Sequence, residues 1–215
     1  MTTWQWICVV FYFTAALLII RRLPLALWLD NRHRKAAFVN SFALLLLMWL
    51  FKVRTDIGPD IHFLLMSALT LTLGFRGAVT CASLTLLILT LTGQQSWQLF
   101  GVHGVAMIIV PCVVTYSIYA LSFHYISRHF MVYIFVCAFL PAALTIALQM
   151  VLTAGYLIAD GLFPAYQVID NYLLIMPLLL FPEALLNGVA MTLLVIYKPD
   201  WVYTFSDRHY FDSDK

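Results

Sequence analysis

Residues 61–74 read IHFLLMSALTLTLG, an apolar run that opens on a histidine and closes on a glycine. Whether it belongs to a soluble core or to a bilayer decides the fold, and the rest of the chain answers. The protein has 215 residues, of which 63% are hydrophobic and only 10% charged, with a mean hydropathy of +0.93. A soluble domain of this length needs far more charge to cover its surface. Apolar stretches recur from end to end, several close to the roughly 20 residues that cross a bilayer. The chain therefore reads as an all-α, multi-pass membrane protein, with one polytopic domain over 1–215 and a short cytoplasmic tail over 198–215.

Seven transmembrane helices are expected, over about 3–20, 36–51, 60–74, 77–93, 104–126, 130–156 and 171–197. The loops after the first, third and fifth, with the tail, hold Arg21, Arg22, Arg32, Arg34, Lys35, Arg76, Arg128, Lys198, Arg208 and Lys215; the other side holds only Lys52 and Arg54. This asymmetry places the N-terminus outside and the C-terminus in the cytoplasm, as an odd number of spans requires. The first apolar run has no basic segment before it and Arg21-Arg22 after it, the pattern of an uncleaved first span in a bacterial inner membrane. Cys8, Cys81, Cys112 and Cys137 lie singly in apolar stretches and read as packing residues. The formal charge of +2 argues against nucleic acid as a partner. The outer loops carry Asp56, Asp60, Asp160 and Asp170 against two cations. That is either a mouth favouring cations or a set of ordinary solvated loops.

HFLLMSALTLTLGF (62–75) resembles the H-L-L-G-x-x-x-x-x-L-L-G-P segment of CbiM/NikM-type proteins. These are the substrate-specific membrane components of energy-coupling factor (ECF) transporters for cobalt and nickel. GQQSWQLFGVHGVAMIIVPCVVTYSIY (93–119) is similar to the family's G-D-G-G-L-T-x-L-G-A-N-x-x-N-M-G-V-x-G-P-x-x-G-Y, with Gly93, Gly101, Met107, Pro111 and Tyr116 at or within one residue of their counterparts. FPEALLNGVAMTLLV (181–195) looks like the last-helix P-x-A-L-x-E-G. The resemblance implies a non-enzymatic subunit for transition-metal uptake, acting with an ECF coupling subunit and ATPase subunits or standing alone. The chain has no P-loop, so it is not expected to bind a nucleotide itself. In the family the metal is held by the N-terminal amine, the next backbone nitrogen, a second-position His and the helix-three His. Here the start reads MTTWQW, and only His62 matches one of those ligands. His103 stands where the family has Asn, and Asn187 where it has Glu.

The residues also carry a reading of their own. His62 precedes Met66, and His103 precedes Met107, by the one-turn interval that puts both members on one helix face. The two pairs are expected at the outer ends of their helices, where they form an N2S2 pocket suited to Cu(I). The alternative is core methionines and interfacial histidines. Glu183, deep in the last helix, is either neutral and hydrogen-bonded to Asn187 or part of a proton or cation pathway. Asp60 belongs to that pathway or, with Asp56, to a helix start. His33, His124, His129 and His209 read as interfacial or solvated. Small residues at Ala143/Ala147 and Ala184/Gly188 allow close helix packing or docking of a partner. Two other functions fit the same pattern: a b-type haem protein with His62 and His103 as axial ligands, and a non-transporting accessory subunit of a membrane complex.

Overall fold

The computed structural model describes residues 2–23, 31–53, 60–126 and 129–205. The helices are α1 (Thr3–Arg21), α2 (Arg32–Leu50), α3 (Met66–Leu91), α4 (Trp97–Tyr125), α5 (Phe130–Ala159), α6 (Ala165–Asn171) and α7 (Met176–Tyr197). Five stretches among the described residues are long and apolar enough to cross a membrane: α1, α3, α4, α5 and the continuous 165–197. That is five rather than seven, for two physical reasons. The first turn of α2 carries Arg32, His33, Arg34 and Lys35, which leaves its apolar part short. The third and fourth expected helices are the two arms of α3, broken at Gly74 (φ +72°, ψ 167°).

The break reverses the chain. At one end of the bundle the Lys52 ammonium pairs with Asp60 and donates to the Gln94 carbonyl, so both ends of segment 60–94 lie together. At the other end Arg76 donates to the Arg22 carbonyl (2.7 Å), and the Tyr203 N–H donates to the Thr72 carbonyl (2.9 Å). The chain between runs out as an extended stretch plus the half-helix Met66–Leu73, turns at Gly74, and returns as 75–91. Alone the half-helix is about 12 Å long, too short to span. A side chain at Gly74 would require an unfavourable positive φ and would put its Cβ 2.8 Å from the Tyr203 ring.

α4 and α5 each contain a π-helical turn, Gly104–Ile109 and Tyr133–Phe139, closed by bonds from Val110 to the Val105 carbonyl and from Leu140 to the Phe135 carbonyl. Both turns end two residues before a proline, Pro111 or Pro141. Proline lacks an N–H and collides with the carbonyl four residues back, and a widened turn accommodates both defects. α1 crosses α4 where Gly101 and Gly104 face it. A Cβ there would fall 2.4 Å from the Val9 nitrogen or from the Tyr12 ring, so only glycine permits the approach. Thr2 caps α1 by accepting from the Gln5 N–H (3.4 Å), while the buried Gln5 amide donates to the Tyr156 hydroxyl of α5 (2.9 Å). Along the α5–α7 contact, Gly188 is buried and lies against Phe139.

Beyond α7 the chain turns back. Val202, Thr204 and Phe205 are buried, and the Tyr203 and Thr204 N–H groups take the Thr72 and Leu71 carbonyls left open at the end of the half-helix. The Thr204 hydroxyl adds a second bond to Leu71 (2.8 Å) and meets that of Tyr133 (2.7 Å). The first residues of the expected tail thus belong to the bundle; 206–215, with Arg208 and His209, lie outside the described residues, as do Arg54, Asp56 and Arg128.

Candidate metal centre

Segment 61–65 is not helical. The Val53 and Ile61 backbones bridge antiparallel (2.8 and 2.9 Å), and α3 begins only at Met66. His62 therefore stands on an extended stretch, and the expected helical register between His62 and Met66 does not exist. Asp60 is likewise no helix-start residue, since it lies well before Met66 and pairs with Lys52. The local cause is Glu183 of α7. Its carboxylate accepts from the Leu64 N–H (3.0 Å) and the Leu65 N–H (2.8 Å), so these donors face another helix instead of entering one. Leu65 is held at φ +54°, a left-handed conformation unfavourable for a leucine side chain.

Asn187, one turn beyond Glu183, completes this cap. Its carbonyl accepts from the Ala68 N–H (2.8 Å), and its amide donates to the Glu183 carboxylate and main-chain carbonyl (2.8 Å each). Both side chains are buried. Together they satisfy the start of the half-helix from outside its own sequence, as an N-cap does locally. Hydrogen bonding between Glu183 and Asn187 was one of the two expectations for this pair. The polar atoms of both are taken up in holding α3.

The two histidines contrast with them. His62 is 6% exposed and His103 2%. His62 Nδ1 lies 3.1 Å from the Phe63 carbonyl and its ring packs on Trp49 (centroids 5.2 Å apart), while its Nε2 has no hydrogen-bond partner. Neither ring nitrogen of His103 has one. His103 ends the helical turn before the π-turn of α4 and lies within electrostatic reach of His62, Asp60 and Lys52. Beside His62 is a cavity of about 10 Å³, walled by Asp60, Met107, Gln149, Met150 and Tyr172 among others. That is about the smallest space that holds one water. Met107 thus joins His62 at this chamber. Met66 does not line it and packs in the core with Leu64 and Leu69. The described residues contain no cluster of three or more His, Cys, Asp or Glu side chains. His33, His124 and His129 are exposed, as expected.

Sequence reasoning did not single out Gln149, Met150 and Tyr172. The first two sit in an apolar run of α5 and the third follows α6; only the tertiary fold brings them to His62. A polar Gln149 within PAALTIALQMVLTAG was the one available signal.

A family model described as the cobalt uptake substrate-specific transmembrane region, CbiM, matches residues 3–201. No curated protein matches the chain. Among solved structures, one described as the crystal structure of a truncated transition metal transporter superposes with a TM-score of 0.70, at 17% identity, over 86% of this chain and 89% of that one. That likeness shows a shared fold. The family match runs from α1 to the turn after α7 and so takes in His62, His103 and the interrupted α3: the chain belongs to the CbiM family.

Proposed function

We propose that this protein takes up a transition-metal cation, captured at the level of His62 and His103. The observation that carries the reading is the set of three buried imidazole nitrogens without a partner. Buried polar atoms are nearly always satisfied, and a neutral imidazole nitrogen is the commonest protein ligand for metals. CbiM membership and the fold likeness support metal uptake; cobalt and nickel follow from the family, and copper from the thioether of Met107 beside His62. The protein acts as a transport component and not as an enzyme, with an ECF coupling subunit and ATPase subunits or by itself. Its place is a bacterial inner membrane, with the N-terminus outside. The His62 end then faces outward, and the Arg22, Arg34 and Arg76 end lies in the cytoplasm, in keeping with the positive-inside bias. Glu183 and Asn187 stay out of the ion's route, because their hydrogen bonds hold α3. The chamber of about 10 Å³ suits an ion and not a haem.

Elemental analysis of the purified protein tests this. We expect a transition metal in the wild type and its loss in His62→Ala and His103→Ala. Full retention of the metal in both variants overturns the site, and a strong Soret band in the optical spectrum replaces the reading with a haem protein.

A further inference from the structure

We infer that Met150 of α5 is a ligand of the captured ion and that, with Met107 and His62, it makes the chamber a site for Cu(I). The inference rests on the reading that His62 binds a transition metal, and it names the ion and a donor from a different helix.

With no cluster of three His, Cys, Asp or Glu side chains among the described residues, a third donor has to be of another type. The chamber wall offers few. The Asp60 carboxylate is engaged by Lys52. The Gln149 amide donates to the Thr153 hydroxyl (3.2 Å) and bonds to the Tyr172 hydroxyl, which also meets Thr153. What remains is the free Nε2 of His62 and two thioethers, Met107 and Met150, each 1% exposed. They come from separate helices, so their shared place at the chamber is a product of packing and not of sequence spacing.

Size and softness then point to the same ion. A space about one water in volume cannot take a hydrated divalent cation. The ion must enter stripped of water, and the protein must replace the lost ligands. One imidazole with two thioethers is a low-coordinate, soft, uncharged set, which satisfies Cu(I) and serves Ni(II) or Co(II) poorly. His103 lies within electrostatic reach of His62 but does not line the chamber.

The test uses the full chain purified in detergent under reducing, anaerobic conditions, with Cu(I) titrated against a chromophoric Cu(I) chelator and Ni(II) measured by equilibrium dialysis. Met150→Leu roughly conserves volume and removes the sulfur. It is expected to weaken Cu(I) binding by about tenfold or more, and Ni(II) binding by a smaller factor. Met66→Leu, off the chamber, should leave Cu(I) affinity within about twofold of wild type. If Met150→Leu binds Cu(I) as the wild type does while His62→Ala loses it, the Met150 assignment is wrong and the His62 site stands. If His62→Ala also keeps full affinity, the site itself fails. Copper K-edge X-ray absorption of the wild-type complex needs no variant to fold: sulfur neighbours support the inference, and a shell of nitrogen and oxygen alone overturns it.

Discussion

Two buried polar groups sit in the same apolar bundle, and they are treated in opposite ways. Glu183 and Asn187 of α7 have every polar atom engaged, accepting from Leu64, Leu65 and Ala68 and bonding to each other. His62 and His103 are also buried yet leave three ring nitrogens without partners. Both are polar groups removed from water, which is unfavourable unless something repays it. In the first the repayment is visible within the protein and is structural. In the second it is not, and the chemistry of imidazole points to a cation. On the proposed reading, the state of hydrogen-bond satisfaction separates a scaffold site from a binding site where burial alone does not.

Mutations should respond to that difference. The largest loss is expected for Glu183→Ala, which strands two buried N–H donors and frees Leu65 from its left-handed conformation. At 1–3 kcal/mol per stranded donor, the loss is about 4 kcal/mol, read as a fall in the thermal midpoint in detergent. Glu183→Gln keeps an acceptor and should recover part of it. An unchanged midpoint in Glu183→Ala would mean that the carboxylate does not hold α3.

Gly74→Ala comes next. It combines a positive φ with overlap on the Tyr203 ring, for a loss of about 2 kcal/mol. Adding Tyr203→Ala should relieve the overlap and leave the strain. Gly155 is the control, since it is helical with nothing within 4 Å of an added Cβ. Gly155→Ala should raise stability by about 0.5–1 kcal/mol. If both alanines behave alike, the turn at Gly74 has no need of glycine.

The smallest change in stability is expected at the histidines. His62→Leu and His103→Leu remove unsatisfied polar atoms, so the midpoint should stay within about 1 kcal/mol of wild type or rise, while bound metal disappears from the purified protein. A fall comparable to that of Glu183→Ala would show that the imidazoles are scaffold after all, and the contrast would collapse.

Much of this molecule was legible in its amino-acid order. Composition alone required a bilayer, because there is too little charge to cover a soluble surface. Gly74 was visible as the end of a span, and His62 as a polar residue with no ordinary place in an apolar run. The order of three motifs announced the CbiM relationship that the family match over 3–201 then showed. Periodicity misled at 61–65, where an apolar run reads as helix whether or not its first N–H groups are taken elsewhere. It could not reveal that the donors of Leu64 and Leu65 bond to a carboxylate more than a hundred residues on.

The sequence by itself determined the solvent of this protein, its helical class and the residue types available to bind an ion, since these follow from side-chain chemistry summed along the chain. Tertiary structure alone decided which of those side chains meet. The Glu183 cap fixes where α3 begins, Gly74 returns the chain to its starting side, and the glycines of α4 let α1 close against that helix. The chamber wall of α5 reaches His62 only through these contacts. A site made of donors from several elements depends on distances that no local spacing encodes, and packing sets those distances.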